Sequence, residues 1–260
     1  MPVTRRIIES LPNLELIAQY GAGTNNIDVV AAKERFVTVT NTPDAPTKDT
    51  ADTALALILT TLRRVVEADM FVRVGKWNGG PFPASTSLEG KTVGICGLGR
   101  IGQAIAKRCA AFDMKVVYHG PRPKEGQPYP YYTDLIDMAA ACDVLVMSCV
   151  GGDDTKHLVN YKVLKALGPK GYLINVARGA VVNTDDLLVA LSNRDIAGAG
   201  LDVYESEPSV PQALISMDNV VLLPHIGGGT VEGRSVMGMQ VVSNITAHFA
   251  GHIYSSSIAQ

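Results

Sequence analysis

The sequence predicts an α/β protein with a doubly wound parallel sheet and a second, smaller α/β domain. Short apolar runs alternate with amphipathic helical stretches over most of the chain. Several runs, such as residues 144–147, are apolar at every position, which is typical of parallel strands covered on both faces. A glycine-rich turn also joins one such strand to an amphipathic helix, which indicates a βαβ unit.

The glycine turn lies between an apolar run at residues 93–96 and an amphipathic run at 101–112. Gly97, Gly99 and Gly102 form the pattern GxGxxG there. The first glycine permits the tight turn, the second lets a pyrophosphate approach bare backbone, and the third lets helix and strand pack closely. The helix N-terminus favours the negative charge of a diphosphate. The pattern in this context predicts a dinucleotide site rather than a glycine turn without a ligand.

The end of the second strand of this unit bears on which dinucleotide binds. NAD sites usually carry Asp or Glu about 20 residues beyond the glycines, whereas a 2′-phosphate needs Arg or Lys and no nearby carboxylate. Here His119 and Gly120 stand at that place, followed by Arg122 and Lys124. We therefore expect NADP(H) to be favoured over NAD(H), with Arg122 near the 2′-phosphate. The alternative is that both cations belong to a solvated loop.

Composition excludes several classes of protein. The chain has 260 residues, 47% of them hydrophobic, and a net charge of −2, which predicts a soluble globular protein. It has no basic run suited to nucleic acid, no apolar segment of the ~18 residues that a membrane span needs, and no apolar signal core. We expect a cytoplasmic protein without nucleic-acid or membrane partners.

Cysteine and histidine spacing gives no sign of a disulfide framework or a metal site. The cysteines at 96, 109, 142 and 149 lie in apolar or helical stretches without CxxC spacing, as small core residues in a reducing compartment do. The five histidines are equally dispersed. We expect no metal.

After Gly120 the chain continues as alternating helices and strands. Helices are predicted at 134–142, 161–167 and 184–193, and strands at 143–149, 171–176, 198–204 and 219–223. Upstream, residues 50–74 predict one long helix that is more apolar than a one-sided helix needs. A contact between two subunits would explain the surplus, and burial within one chain would explain it equally well.

The smaller domain is predicted from both ends of the chain. Residues 13–42 have a strand, loop, helix, strand pattern, and the amphipathic run 231–249 is expected to return as a helix toward that domain. No low-complexity segment or sequence repeat interrupts the chain.

Three chemically useful residues follow three successive predicted strands. Arg178 follows the strand at 171–176, Glu207 the strand at 198–204, and His225 the strand at 219–223. Each alone could be an ordinary surface arginine, loop acid or strand-end histidine. Because the carboxyl ends of parallel strands share one edge, where ligands gather in open α/β sheets, their joint placement predicts a catalytic site.

These residue types match the needs of a 2-oxo acid reduction, in which hydride reaches the carbonyl carbon and a proton reaches its oxygen. His225 fits the proton donor, because imidazole exchanges protons near neutral pH. Glu207 would fix the imidazole tautomer. Arg178 would bridge the substrate carboxylate and carbonyl oxygen and stabilise the developing negative charge.

The segments GLGRIG, NVARGAVV, GAGLDVYESEP and LLPHIGGGT together resemble the D-isomer-specific 2-hydroxyacid dehydrogenase family, near its glyoxylate/hydroxypyruvate and hydroxyphenylpyruvate reductases. The resemblance runs from about Leu11 to Gly251. It implies a Rossmann domain, a flavodoxin-like second domain and the catalytic set Arg178, Glu207 and His225. It further implies that the pyrophosphate is cradled by residues 98–101 (Leu98, Gly99, Arg100, Ile101), that the nicotinamide end holds Val176 and Asp202, and that the substrate carboxylate meets the amides of Ala22 and Gly23.

On this resemblance we assign residues 1–47 to a partial substrate-binding domain, 48–228 to the dinucleotide-binding domain and 229–260 to a helix returning to the substrate domain. The glycine-rich turn GAGTNN agrees with an anion site at Ala22 and Gly23, although an ordinary tight turn has the same composition.

Two departures from the family stand out. NADP-using members often place arginine directly after the residue matching Gly120, where this chain has Pro121 before Arg122. Relatives also begin with roughly 60 further residues, if two units of ~30 precede the match. The strand in LELIAQY would then lack sheet neighbours. A truncated chain or a covering partner subunit would each explain this.

The resemblance implies an NADPH-preferring reductase of small 2-oxo acids such as glyoxylate and hydroxypyruvate, and a homodimer is expected. Two alternatives stay open. One is a truncated, inactive fragment, and the other is a non-enzymatic dinucleotide-sensing module of the corepressor kind, for which the intact Arg178, Glu207 and His225 would serve no purpose.

Overall fold

The computed structural model describes residues 2–252, 254 and 257–259, and the chain divides into two compact units. The larger unit is Thr50–Gly227, and the smaller combines Met1–Asp49 with Gly228–Gln260. Across the described ranges no helix combines the length and the apolar character needed to cross a membrane.

The secondary structure follows the predicted alternation. The strands are β1 (Leu16–Ala18), β2 (Thr38–Thr40), β3 (Thr92–Cys96), β4 (Lys115–His119), β5 (Tyr131–Tyr132), β6 (Val144–Met147), β7 (Tyr172–Asn175), β8 (Gly198–Leu201), β9 (Val220–Leu222) and β10 (Ser257–Ala259). The helices are α1 (Arg5–Glu9), α2 (Val29–Glu34), α3 (Thr47–Leu62), α4 (Val65–Arg73), α5 (Arg100–Ala110), α6 (Leu135–Ala141), α7 (Tyr161–Leu167), α8 (Thr184–Ser192), α9 (Gln212–Ile215) and α10 (Val231–Phe249).

A seven-stranded parallel sheet forms the larger unit and confirms the predicted fold class. Its strands lie in the order β5-β4-β3-β6-β7-β8-β9, so the winding reverses between β3 and β6. The register aligns one row of Cα partners near the carboxyl ends of the strands, made of Tyr132, His119, Cys96, Met147, Asn175, Leu201 and Leu222. We call these residues the last row of the sheet.

Helices cover the sheet on both faces, as the uniformly apolar strands predict. Val144 and Val146 of β6 belong to a core with α3 and α5, whereas Leu145 and Met147 belong to a second core with α6, α7 and α8. All four side chains are fully buried. The strand alternation therefore supplies two cores from one apolar run.

Several helix starts are fixed by capping side chains. Asp134 accepts from the backbone N–H of Ile136 at the start of α6, and Asn183 accepts from that of Asp186 at the start of α8. Asn160 caps α7 in the same way. These caps satisfy N–H groups that a helix leaves without internal partners.

The prediction of one continuous helix over residues 50–74 is wrong. The chain forms α3 and α4, which are separated at Arg64, whose φ of 53° lies in the left-handed region. Helix α3 packs on the sheet through fully buried side chains such as Leu57 and Ile58, whereas α4 has no buried residue. Burial within the chain thus accounts for the apolar surplus of the first half only.

The smaller unit contains a three-stranded sheet in the order β1-β2-β10. Strand β1 pairs in parallel with β2, so the expectation that LELIAQY lacks a sheet neighbour is wrong. Strand β10, which the sequence pattern did not predict, lies antiparallel to β2 on its other side. Helix α10 has the predicted bounds, and the Asn244 side chain donates to the carbonyl oxygen of Asn41 within this unit.

Candidate active site

The glycine turn after β3 has a different steric role at each glycine. Gly97 has a φ of +97°, and a Cβ on it would lie 2.5 Å from the Cα of Cys149. A Cβ on Gly102 would lie 2.2 Å from the carbonyl oxygen of Gly97. A Cβ on Gly99 would meet no atom within 4 Å. Two glycines are therefore required by packing, whereas Gly99 leaves bare backbone with open space above it.

Helix α5 starts directly after this turn, with Gly99 as its N-cap and no capping side-chain hydrogen bond. The first N–H groups of a helix have no internal partners and carry the positive end of the helix dipole. A phosphate suits such a place. The predicted cradle residues Arg100 and Ile101, together with Gly102, form the first turn of this helix.

A cavity of about 820 Å³ opens beside the glycine turn. We call it the nucleotide cavity, and it is lined by residues 96–99, 118–122, 124, 131, 133, 148–155 and 158. Of the predicted cofactor residues, Gly97, Leu98, Gly99, Gly120 and Arg122 are in its wall. Arg100, Ile101, Gly102, Val176 and Asp202 are not among the residues that line it.

Two tyrosines hold the loop that carries Arg122. The hydroxyl of Tyr118 accepts from the backbone N–H of Lys124 at 2.8 Å, and the hydroxyl of Tyr131 donates to the carbonyl oxygen of Gly120 at 2.9 Å. Nδ1 of His119 lies 3.0 Å from the carbonyl oxygen of Tyr132. Sequence reasoning missed both tyrosines, because a bond from a phenol to the backbone leaves no spacing signal.

Glu207 and His225 form a hydrogen-bonded pair at the carboxyl edge of the sheet. Nδ1 of His225 lies 2.7 Å from Oε2 of Glu207, and the other oxygen, Oε1, accepts from the backbone N–H of Tyr204 at 2.9 Å. With Glu207 ionised, Nδ1 is the donor of the pair, and Nε2 is the nitrogen that can pass a proton to a ligand. The imidazole is 47% exposed, so a ligand can reach it.

Arg178 lies beside this pair on the segment after β7. Burial lowers the pKa of its guanidinium, and the charge of Glu207 opposes that shift. Nη1 donates to the carbonyl oxygen of Ala177 at 2.7 Å. The adjoining Gly179 packs so tightly that a Cβ there would lie 1.8 Å from the carbonyl carbon of Tyr204. The segments carrying Arg178 and Glu207 are thus pressed together.

Asp202 connects the end of β8 to the histidine segment. Its carboxylate accepts from the N–H groups of Ile226 and Gly227, both at 2.8 Å, and its carbonyl oxygen accepts from the N–H of His225 at 2.9 Å. Burial raises the pKa of this carboxyl despite the two N–H donors, which lower it. Val176, the other residue expected at the nicotinamide end, is buried at the end of β7.

The predicted substrate turn lies in the smaller unit. The carbonyl oxygen of Ala22 accepts from the side chain of Asn41 at 2.7 Å, and that of Gly23 accepts from Gln19 at 3.1 Å. Gly21 has a φ of +129° and donates to the hydroxyl of Thr42 at 2.9 Å. These bonds fix the turn, and a role of its amides toward a carboxylate stays a prediction.

Among the residues that the structure describes, no three His, Cys, Asp or Glu side chains lie together in a way that could hold a metal ion. The four cysteines are free thiols.

Comparison with known proteins places these features in context. Residues 55–227 match the profile of the "D-isomer specific 2-hydroxyacid dehydrogenase, NAD binding domain". The chain is 47% identical over 245 residues to a hydroxyphenylpyruvate reductase of Plectranthus scutellarioides, covering 94% of this chain and 78% of the relative. It is 48% identical over 246 residues to a glyoxylate/hydroxypyruvate reductase A of Arabidopsis thaliana, covering 95% and 79%.

A solved structure has the same fold as this chain. The NADPH-dependent glyoxylate/hydroxypyruvate reductase SmGhrB of Sinorhizobium meliloti, in complex with NADP and malonate, superimposes with a TM-score of 0.96. The sequence identity is 45%, and the match covers 99% of this chain and 82% of that one. The larger unit therefore corresponds to an NAD-binding domain.

The three glycines give a prediction that separates folding from binding. Gly102→Ala should lower the free energy of unfolding by about 1–3 kcal/mol, because its methyl group overlaps the Gly97 carbonyl. Gly99→Ala should cost less stability, because its methyl group meets no protein atom and only the helix N-cap is weakened, but it should weaken dinucleotide binding, because the methyl group enters the open space. Urea denaturation and fluorescence titration with NADPH would measure both. Tight binding by Gly99→Ala would contradict the role given to that glycine.

Proposed function

The chain belongs to the D-isomer specific 2-hydroxyacid dehydrogenase family, and we propose that within it the protein is an NADPH-preferring reductase of small 2-oxo acids such as glyoxylate and hydroxypyruvate. The observation that carries the proposal is the 2.7 Å contact between His225 and Glu207, next to Arg178 at the carboxyl edge of the sheet. The reductase activities named for the relatives support the substrate class.

The proposed chemistry assigns one task to each member of this set. A dinucleotide held at the glycine turn would supply the hydride when bound. His225 gives a proton from Nε2 to the substrate oxygen, while Glu207 keeps Nδ1 protonated and the ring oriented. Arg178 binds the substrate carboxylate and the carbonyl oxygen, where negative charge develops in the transition state. The amides of Ala22 and Gly23 are the proposed second anchor of the carboxylate.

The features of the nucleotide cavity fit NADP(H). Gly99 leaves room for a pyrophosphate at the start of α5. The loop after β4 brings Arg122 and Lys124 to the wall of the cavity. The last residue of β4 is His119, at the place where NAD sites usually have an acidic residue. The acidic wall residues Asp153 and Asp154 belong to the segment after β6 instead. The bonds from Tyr118 and Tyr131 hold the cationic loop in place before a ligand arrives.

We assign the substrate-binding role to the smaller unit and the dinucleotide-binding role to the larger one.

We also propose a cytoplasmic location, which the scattered free cysteines suit. Cell fractionation that places the protein outside the cytoplasmic fraction would contradict that location.

We also propose a homodimer, formed through α4 and the segment that follows it. Val66, Met70 and Trp77 are 53%, 51% and 65% exposed there, and apolar side chains exposed along one segment can mark a contact between proteins. A second copy of the chain would cover them.

The first prediction of the proposed function tests the reaction and its proton donor. With NADPH and hydroxypyruvate or glyoxylate, the protein should oxidise NADPH, and the nicotinamide absorbance should fall with time. His225→Gln should lower kcat by about 10²–10⁴-fold, because the proton donor is lost, and should leave NADPH affinity unchanged. Stopped-flow absorbance and NADPH titration would measure the two effects.

His157→Gln is the matched control for this variant. His157 also contacts a glutamate, Glu205, at 2.6 Å, but we give it no role in the reaction. It should retain most of the activity. Equal losses in both variants, or full activity of His225→Gln, would show that His225 is not the donor.

The second prediction concerns the cofactor. Arg122→Ala should raise the KM for NADPH far more than the KM for NADH, because only NADPH has the 2′-phosphate that a guanidinium binds bidentately. Parallel kinetics with both dinucleotides would measure the ratio. The same loss with both would mean that Arg122 belongs to a solvated loop.

The third prediction concerns the oligomer. Sedimentation should give twice the 27.6 kDa chain mass for the protein and the single-chain mass for Met70→Glu, because a buried charge without a partner opposes association. Phe36→Glu, at a 91% exposed apolar residue in the smaller unit, is the control and should remain dimeric. A monomeric unmodified protein would rule out the dimer.

A further inference from the structure

Gly151 lies in the segment after β6 and forms part of the wall of the nucleotide cavity. A Cβ built on it would not point into empty space. It would lie 2.5 Å from Cγ of Arg178 and 3.0 Å from its Cβ. Because Gly151 has no side chain, Cβ and Cγ of Arg178 can occupy the space beside it.

The backbone does not explain why a glycine stands here. Gly151 is not among the described glycines with positive φ, so its conformation is open to any L-residue. The next residue, Gly152, provides a contrast, because a Cβ on it would have no atom within 4 Å. Of these two neighbouring glycines, only Gly151 is required to lack a side chain, because of its contact with Arg178.

The backbone of Arg178 has little freedom to move away from an added methyl group. Its carbonyl oxygen accepts from the side chain of Asn175 at 3.1 Å and from the N–H of Val181 at 3.2 Å. The next residue, Gly179, is packed against Tyr204. The overlap is closest at Cγ, at 2.5 Å, rather than at the flexible tip, so its relief requires rotation about χ1, while the contact with Cβ at 3.0 Å needs only a shift of a few tenths of an ångström. That rotation carries the whole guanidinium to a new place.

We propose that Gly151 is a positioning residue for the reaction, which sets the side-chain path of Arg178 and so the place where the guanidinium meets the 2-oxo acid. This role rests on the proposed function. It links a wall of the nucleotide cavity to the residue that anchors the substrate, through direct contact between them. The added methyl group would point at Arg178, so the change should affect binding and turnover of the 2-oxo acid rather than binding of the dinucleotide.

The kinetic test uses Gly151→Ala at saturating NADPH. We expect kcat to fall by about 10²-fold, as displacements near 1 Å of a catalytic group do, with a higher KM for the 2-oxo acid. The dissociation constant for NADPH should stay unchanged, which a general loss of structure would not allow. Turnover equal to that of the unmodified protein would overturn the inference.

A stability cycle tests the same contact without any turnover. Gly151→Ala should lower Tm in the unmodified protein and should lower it much less in an Arg178→Ala background, where Cγ is absent. Gly152→Ala is the matched control and should leave Tm unchanged in both backgrounds. An equal loss of Tm with and without the Arg178 side chain would overturn the inference.

The two tests separate the inference from the proposed function. If the unmodified protein reduces no 2-oxo acid, the proposed function fails and the positioning role fails with it, whatever the stability cycle gives. If it does turn over, an unchanged kcat of Gly151→Ala, or an equal loss of Tm in both backgrounds, overturns the positioning role and leaves the proposed function standing.

Discussion

Parallel hydrogen bonding across seven strands holds the last row of the sheet in register, and the position of each functional segment depends on that row. The first residue beyond it continues the ladder on strand after strand. Gly97 donates to His119 at 2.9 Å, Val176 to Met147 at 3.2 Å and Asp202 to Asn175 at 3.0 Å. The segments that follow these strands therefore leave the sheet at the same level, directly after the last row. The nucleotide cavity, Arg178 and the Glu207–His225 pair are neighbours because of this shared edge.

Close approach of backbone segments is the second constraint, and glycine permits it. The turn at Gly97 touches the segment after β6, and Gly179 touches the segment that carries Glu207. Gly151 gives way to the side chain of Arg178 in the same manner. Segments from different strands thus pack closely wherever one of them carries a glycine in place of a side chain. Such dense packing resists small displacements, and reacting groups need that precision.

The sequence predicted the sheet well because its signals are local. Apolar runs gave β3, β6 and β7 within a residue or two of their bounds, and capping residues such as Asn160 mark the helix starts. The break at Arg64 was missed because neither glycine nor proline marks it. The choice between one helix and two is made by packing, since α3 is buried and α4 is not.

The candidate site was predictable only in part for a related reason. Residues whose chemical types are rare together, such as Arg178, Glu207 and His225, stand out after strand ends. Tyr118, Tyr131 and Gly151 do not, because each acts through one contact with a segment distant in sequence. A phenol that bonds to backbone and a glycine that makes room for a side chain have no pattern of their own. Only the tertiary structure distinguishes them from ordinary core and loop residues.

The placement of His225 illustrates how strongly such contacts determine the chemistry. Its φ of 56° is left-handed, which costs a non-glycine residue roughly 1–2 kcal/mol. Asp202 offsets that cost by accepting three N–H groups, those of residues 225, 226 and 227. Each N–H would cost about 1–3 kcal/mol if it were buried without a partner. The imidazole is therefore held from β8 as well as from its own strand, and this brings Nδ1 within reach of Glu207. Glu207 follows β8, and His225, which follows β9, is tied to the end of β8 through Asp202, so one strand end orients both members of the pair.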